Sequence, residues 1–234
     1  MLTLAQRVLA IDAALSETPH AFGGALALAY YSEPRATIDI DLNLFVPPER
    51  FSEVAGPLSA LGADAGAPSI AALVGRDGQA RVMWDETPID LFFSYDRFHD
   101  AAARARHRVP FGDATIPILA ADHLIVCKAV FSRPRDWVDI DSVLAVRTTV
   151  DGAEVLRWVA RIAGDEDPRY NRIAALLTHR PPPGGRAGWG RPSPVQHGVA
   201  GAPTAISSGN REGLWDSPSP DDPGPSPSAW KAGT

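Results

Sequence analysis

Apolar and polar residues alternate with a period of two along one short stretch near the start of the chain. The segment 38–44 has Ile or Leu at every second position, with Asp39, Asp41 and Asn43 between them. This pattern predicts a strand with one apolar and one polar face. Because two ionised Asp side chains on one face repel each other, we expect a cation between them, although the exposed face of an edge strand would also tolerate the pair.

Two further segments have the composition of strands and are separated by a short polar turn. The segment 88–94 places Asp90 on the face opposite its apolar residues, and 81–84 precedes it across the turn at 85–87. Asp90 is therefore a third carboxylate on the polar face of a predicted strand. Further strand candidates are 70–74 and 114–118.

Apolar residues recur at helical spacing in most of the remaining chain up to residue 180. Gly23 and Gly24 open one of these helices, and Asp122 is expected to cap another. Strands and helices alternate as far as residue 118 and only helices follow, which indicates an α/β (α+β) domain with a helical C-terminal portion. The predicted helices cover residues 3–16, 25–31, 47–61, 98–106, 122–131, 136–144, 155–162 and 170–177.

The composition of the chain changes abruptly at residue 181. The 54 residues that follow contain eleven Pro, ten Gly and seven Ser, and have too few aliphatic residues to offset the entropy of ordering them. We therefore divide the chain into an α/β core over 1–118, a helical portion over 119–180 that completes the functional site, and a disordered tail over 181–234.

The formal net charge of −6 falls entirely within 1–180, where 18 Lys and Arg face 24 Asp and Glu. This balance argues against binding nucleic acid through bulk positive charge, but not against local basic patches. The only cysteine, Cys127, rules out an internal disulfide and favours a reducing compartment. Since the sequence has neither a signal-peptide pattern nor an apolar run long enough to span a membrane, it predicts a cytoplasmic protein.

Two features of the sequence suit a nucleotide and its metal ions. Backbone N–H groups at the Gly23–Gly24 turn suit a triphosphate, although paired glycines also occur in loops that bind nothing. If their strands lie together, Asp39, Asp41 and Asp90 can hold two magnesium ions about 3.5–4 Å apart. The alternative is three carboxylates exposed to water.

Lys128 lies in the most apolar part of the helical portion. An unpaired ammonium group is costly to bury there, unless its long side chain reaches water. Asp136 and Asp139 follow, one helical turn apart, and could hold Lys128, although acidic residues also favour the first turn of any helix. Arg133 offers a further donor for phosphate.

These residues together match the motifs of a known superfamily. The matching motifs are Gly23-Gly24, Arg35-x-Thr37-x-Asp39-Ile-Asp41-Leu, the single Asp90, Asp122-His-Leu-Ile-Val-x-Lys128 and Arg133-Pro-Arg-Asp136-x-x-Asp139. Through them the chain resembles the minimal nucleotidyltransferases of the polymerase-β-like superfamily, and most closely its AbiEii-like toxin group. The resemblance covers about 20–145 and implies a small mixed-sheet nucleotidyltransferase fold.

The resemblance also implies roles for individual residues. Asp39, Asp41 and Asp90 would hold Mg²⁺ (or Mn²⁺), Asp90 would help to deprotonate an acceptor hydroxyl, and Lys128 would act with them in catalysis. Gly24 stands where many relatives have Ser. The residues that would bind the NTP are Gly23, Gly24, Arg35, Thr37, Lys128, Arg133 and Asp139.

The implied reaction is transfer of a nucleoside monophosphate from an NTP to an acceptor hydroxyl, with pyrophosphate released. The resemblance offers the end of a tRNA or a protein as the acceptor, and a cognate antitoxin as a partner. Two other classes stay open at this point: a non-catalytic module that binds nucleotide or a partner protein, and a phosphohydrolase that uses the same carboxylates.

One basic segment has no place in this scheme. It could contact an RNA backbone, or it could be a solvated helix face of the usual kind. Its members are Arg97, Arg104, Arg106, His107 and Arg108.

Overall fold

A computed structural model of the chain describes residues 2–146 and 150–178. Within them the chain forms one six-stranded mixed sheet with helices packed against it. The α/β (α+β) class that the sequence predicts is confirmed. The predicted tail, 181–234, lies outside the described residues, and the division of the chain at residues 118 and 180 stays a prediction.

The sheet consists of β1 (His20–Phe22), β2 (Ile40–Leu44), β3 (Gln79–Trp84), β4 (Thr87–Phe93), β5 (His107–Phe111) and β6 (Ala114–Ile118). Their order across the sheet is β3-β4-β2-β1-β6-β5. The pairs β2–β4 and β1–β6 are parallel, whereas β1–β2, β3–β4 and β5–β6 are antiparallel. Strands β2 and β4 therefore lie inside the sheet, and β2 pairs with β4 along its whole length.

The helices of the described residues are α1 (Leu4–Ala14), α2 (Gly24–Leu28), α3 (Ser52–Ala60), α4 (Pro68–Asp77), α5 (Arg97–Ala105), α6 (Ala121–Phe131), α7 (Pro134–Ala145), α8 (Gly152–Ala163) and α9 (Pro168–Thr178). Helix α6 contacts α7, α8 and α9, and it reaches β2 through α2. It thus connects the helical portion to the sheet. Across the described ranges, every helix is too short or too polar to cross a membrane.

The alternation in β2 and β4 decides which way their side chains face. Ile40 and Ile89 are paired in register and fully buried, as are the other apolar residues of this face. The next pair in register is Asp41 with Asp90, so the two carboxylates lie side by side on the opposite face. Each buried side chain of this size contributes about 1.5–3 kcal/mol, and a slip by one residue would bury the carboxylates instead.

The predicted strand over 38–44 begins later in the structure. Strand β2 starts at Ile40, while residues 33–39 have no regular structure and Ile38 is 71% exposed. The alternation in the sequence begins at Ile38, but the strand does not, because Ile38 does not face the core. Asp39 consequently lies just before the strand and outside its hydrogen-bonded ladder.

The strand candidate at 70–74 is wrong, because these residues lie in α4. Pro68 occupies the first turn of this helix, and Gly78 ends it in a left-handed conformation with a φ of 67°. Proline at the start and glycine just past the end are strong helix signals. They outweigh the β-branched residues of the short segment between them.

Two strands of the sheet were not predicted. Strand β1 has three residues, all buried, and so shows no alternation between two faces. Strand β5 is largely exposed at one end of the strand order and contains Pro110, which an edge strand tolerates. Both are therefore too short or too atypical for a pattern of period two to reveal them.

Two helix ends also differ from expectation. Helix α2 ends at Leu28, so the predicted helix over 25–31 is shorter than expected. Asp122 does not cap α6, whose N-cap is Ala120. Instead, an oxygen of the Asp122 carboxylate accepts a hydrogen bond of 3.0 Å from the Asp151 N–H, which ties the start of α6 to the start of α8.

Candidate active site

Asp41 and Asp90 are neighbours on the polar face of the central parallel strands. The pKa of Asp41 is raised to about 6, first by burial and then by the charges of Asp90 and Asp39, while Lys128 and Arg133 act in the opposite direction. The ionised form of Asp41 is thus disfavoured where it lies. An additional positive charge beside these carboxylates would stabilise it.

Asp39 approaches the pair from the segment before β2. The N–H of Asp39 donates to the hydroxyl of Thr37 at 3.2 Å, and that hydroxyl lies 3.3 Å from the Asp39 carbonyl oxygen. Thr37 therefore holds the backbone at Asp39, and its predicted contact with a nucleotide stays a prediction. The Asp39 side chain is 37% exposed, so it is open to a ligand.

Arg81 is a site residue that the sequence reasoning missed. It lies on β3 directly opposite Asp90, and its Nε and Nη2 donate to the two carboxylate oxygens of Asp90 at 2.7 Å each. The same guanidinium lies 4.0 Å from Asp39. A turn over 85–87, as predicted, would pair residue 81 with residue 91; the observed turn pairs Trp84 with Thr87 and so places Arg81 opposite Asp90.

Within residues 2–146 and 150–178, no three Asp, Glu, His or Cys side chains form a group that could hold a metal ion as they stand. The reason lies in the contacts just described, since Asp90 faces Arg81 and Asp39 lies outside the strand. The donor chemistry still fits a hard divalent cation, because all three groups are carboxylates and their mutual repulsion raises the pKa of Asp41. Asp39, Asp41 and Asp90 are the residues that would hold it.

The two glycines let the backbone pass close to Asp41. The Gly23 N–H donates to the Asp41 carbonyl oxygen at 2.9 Å, so this N–H already has an acceptor. Gly24 has a φ of +48°, and a Cβ atom there would lie 1.7 Å from Oδ2 of Asp41. No side chain fits at this position, which accounts for Gly24 where the resemblance suggests Ser.

Lys128 is buried and paired, and does not reach water. Its Nζ donates to Oδ2 of Asp139 at 2.6 Å and lies 3.5 Å from Oδ1 of Asp136. All three side chains are at most 7% exposed. The contact that the sequence suggests between this lysine and the two aspartates of α7 is present, and it stabilises an ammonium group that would be costly to bury alone.

Two arginines extend this cluster of charges. Arg35 Nη2 donates to Asp139 at 3.2 Å, and Arg133 Nε donates to Asp136 at 2.9 Å. Nε of Arg35 is buried and has no partner among the described residues. With Lys128, three cations share two carboxylates, which leaves one positive charge beside the Asp41–Asp90 pair.

A cavity joins the carboxylates to the cluster. Gly24, Asp41, Lys128 and Arg133 all line it. Its volume of about 60 Å³ is well below the roughly 300–1,000 Å³ of typical ligand pockets, so only part of a nucleotide can lie inside it. The other predicted residues are not in this lining: Gly23, Arg35, Thr37, Asp39, Asp90 and Asp139.

Aromatic residues form part of the same cavity, and the sequence reasoning did not include them. The rings of Phe92 and Phe131 meet edge to face with centroids 5.8 Å apart. The Arg133 guanidinium lies over the Phe131 ring at 5.2 Å. Phe92 shares the polar face of β4 with Asp90, so the alternating pattern already placed one of these rings at the site.

Comparison with solved structures gives distant likenesses. One is the solution structure of the antibiotic-resistance factor ANT(2'')-Ia, with 16% identity over 75% of this chain and 95% of that chain and a TM-score of 0.49. Another is an antigenic nucleotidyltransferase-like protein from Paracoccidioides brasiliensis, with 13% identity over 75% of this chain and 87% of that chain and a TM-score of 0.44. Likenesses of this size support no conclusion about the substrates of this chain. A search of curated proteins gave no match.

The sequence profile described as nucleotidyl transferase AbiEii toxin, type IV toxin–antitoxin system, matches residues 7–194. The match spans most of the chain and includes every predicted site residue. It agrees with the resemblance drawn from the motifs and favours nucleotide transfer over the binding module and the phosphohydrolase. The chain therefore belongs to the AbiEii family of nucleotidyl transferase toxins and is a nucleotidyltransferase.

Proposed function

We propose that this enzyme transfers a nucleoside monophosphate from an NTP to an acceptor hydroxyl with the help of Mg²⁺ or Mn²⁺. The observation that supports the proposal most strongly is the Asp41–Asp90 pair, which lies beside a buried and fully paired Lys128. One carboxylate that can hold a cation, Asp41, and two basic groups that can hold phosphate, Lys128 and Arg133, thus line one cavity. This combination suits attack on a triphosphate.

The residues around the cavity divide the chemistry between them. Lys128, Arg35 and Arg133 offer positive charge to the phosphates, and their aspartate partners fix their positions. Asp90 accepts the proton of the attacking hydroxyl, whose oxygen then forms a bond to the α-phosphorus while pyrophosphate leaves. A divalent cation bound at the carboxylates supplies charge neutralisation for the triphosphate.

The proposed acceptor is the end of a tRNA or a hydroxyl on a protein, and the proposed partner is a cognate antitoxin. Family membership supports a toxin role for the chain. The carboxylates and the charged groups around Lys128 would contact only phosphate and metal. They therefore identify neither the base of the NTP nor the acceptor.

Incubation of the enzyme with each of the four α-labelled NTPs tests the proposal, with tRNA or a cell protein extract as acceptor. We expect label to enter one class of acceptor for at least one NTP, and addition of EDTA to prevent this. Asp113→Asn serves as the control variant, because Asp113 is an exposed carboxylate in the turn between β5 and β6. Failure to label any acceptor under these conditions would contradict the proposal.

A further inference from the structure

A second pocket lies between α5, α6 and α8. Its volume of about 580 Å³ is within the range of typical ligand pockets. It shares no lining residue with the cavity at Asp41. Three arginines, two acidic residues and one histidine line it, so its polar groups are concentrated.

His123 lies in the wall of this pocket with both ring nitrogens unsatisfied. It is 4% exposed, and neither Nδ1 nor Nε2 has a hydrogen-bond partner among the described residues. Its close neighbour, the Phe98 ring at 5.5 Å, offers none. A buried imidazole without hydrogen bonds is costly, and in native proteins such groups usually meet a ligand or a water molecule.

The imidazole of His123 is neutral at physiological pH. Burial lowers its pKa, the charges of Arg157 and Arg104 lower it further, and Glu154 acts in the opposite direction. A neutral imidazole has one N–H donor and one acceptor nitrogen. It can therefore donate to an anionic oxygen and accept from a hydroxyl.

Two arginines of this pocket make no ion pair with a described residue. Arg97 and Arg104 lie two turns apart on α5, and neither has a carboxylate partner within the described ranges. Arg97 is the first residue of its helix, where a positive charge opposes the helix dipole. Stabilisation of α5 therefore does not explain it.

The other arginines of the basic segment found in the sequence have local roles. Arg106 stacks over the Phe45 ring at 5.5 Å, and Arg108 pairs with Asp12 at 2.8 Å. The structure thus divides that segment. Its arginines at 106 and 108 are engaged elsewhere, while those at 97 and 104 remain available to a ligand.

The third arginine of the pocket is held in place by its own helix. Arg157 donates to Glu154 and stacks over the Trp158 ring at 4.4 Å. Glu154 also accepts from the Trp158 indole, so its charge is largely compensated. With Asp100 as the other acidic group, three arginines and two carboxylates leave one positive charge at the pocket.

We propose that this pocket binds a phosphate group, with Arg97 and Arg104 as its charge partners and His123 as a hydrogen-bonding group. Guanidinium groups match phosphate oxygens in both geometry and charge. The phosphate can belong to a small molecule or to the backbone of an RNA strand. The proposal does not depend on the proposed nucleotide transfer, because it uses none of the residues assigned to that reaction.

Titration of the full chain with sodium phosphate tests this proposal, with sodium chloride of matched ionic strength as the reference. The readout is the ring signals of His123 in nitrogen NMR spectra, assigned by their loss in His123→Gln, or through contacts with Phe98 if that variant does not fold. We expect phosphate to move these signals saturably and chloride to leave them unchanged.

Two arginine variants show whether the effect is local. We expect Arg104→Ala to weaken phosphate binding by about tenfold or more, as loss of a charged hydrogen-bond partner does. Arg76→Ala removes another exposed arginine, from α4, and should leave binding unchanged. Equal weakening in both variants, or equal signal shifts with chloride, would overturn the proposal.

A short RNA strand distinguishes the two sources of phosphate. Displacement of bound phosphate by RNA at lower concentration supports a backbone site. Phosphate binding that RNA does not disturb supports a small phosphate-bearing ligand. The absence of any shift in the His123 signals with either probe would show that no phosphate site exists here.

Discussion

At the scale of single residues, Asp41 is the site carboxylate whose charge its surroundings disfavour most clearly. Its pKa is about 6 in the folded chain against 3.8 in an unfolded one, because burial and two neighbouring carboxylates disfavour its charge. Between pH 3.8 and about 6, Asp41 is therefore mostly protonated in the folded state and mostly ionised in the unfolded one. Above pH 6 the ionised Asp41 lowers the free energy of unfolding, and this loss disappears as the pH falls towards 4.

The variant Asp41→Asn should abolish nucleotide transfer and raise the melting temperature at pH 7 in the presence of EDTA. From the shift of about two pKa units, the gain is at most about 3 kcal/mol, and it should vanish near pH 4. Thermal unfolding of the variant and the parent over this pH range measures it. If the variant were more stable than the parent by the same amount at pH 7 and at pH 4, the raised pKa of Asp41 would be contradicted.

Gly24 is predicted to be irreplaceable for a steric reason. In Gly24→Ala, the new Cβ would meet Oδ2 of Asp41 at 1.7 Å in a backbone conformation that L residues rarely adopt. We expect loss of activity and a lower melting temperature. Gly75→Ala is the matched control, because a Cβ there meets nothing within 4 Å and should stabilise its helix by about 0.5–1 kcal/mol.

Arg81 is predicted to compete with a divalent cation for Asp90. Because its guanidinium donates to both oxygens of Asp90, a cation that binds there must break or weaken these bonds. We expect Arg81→Met to bind Mn²⁺ several-fold more tightly than the parent, as measured by electron paramagnetic resonance. Arg50→Met, which removes an exposed arginine, is the control. Weaker Mn²⁺ binding in Arg81→Met would show that Arg81 supports the site instead.

At the scale of elements, helices α6 and α7 are held together by buried charges. Lys128 on α6 contacts Asp136 and Asp139 on α7, with all three groups nearly inaccessible to water. Removing one member of such a set leaves a buried charge without its partner, at a cost of about 3–5 kcal/mol. The contact between these helices therefore depends on the complete set.

A double-mutant cycle tests this dependence. We expect Lys128→Met and Asp139→Asn each to destabilise the chain strongly, and the double variant to lose less than the sum of the two. Denaturant unfolding of the four proteins gives the coupling energy. Purely additive losses would mean that the 2.6 Å contact between Nζ and the carboxylate contributes little.

The elements also show which parts of the structure a sequence pattern can predict. The alternation in β2 and β4 predicted that Asp41 and Asp90 each lie on the polar face of a strand, because a period of two is distinct over several residues. It did not predict β1, which has three buried residues and no alternation. The alternation also does not determine which residues pair between neighbouring strands. The position of Arg81 opposite Asp90 is therefore known only from the structure.

At the scale of the whole molecule, the site joins distant parts of the chain: the sheet carries Asp41 and Asp90, and the helical portion carries Lys128 and Arg133. The sequence predicted Lys128 as an unusual residue, since an ammonium group among apolar neighbours needs partners. It could not predict that Arg35, far along the chain from Asp139, would bind the same carboxylate. Contacts between distant segments depend on packing, and local patterns do not encode them.

The central claim is that Asp39, Asp41, Asp90 and Lys128 serve transfer of a nucleoside monophosphate, and the released product tests it most directly. The measurement is the release of pyrophosphate or of inorganic phosphate from an NTP, with Mg²⁺ and acceptor present, by the parent and by Asp41→Asn. The account predicts pyrophosphate from the parent, in step with labelling of the acceptor, and neither from Asp41→Asn. Release of inorganic phosphate, or full activity of Asp41→Asn, would contradict it.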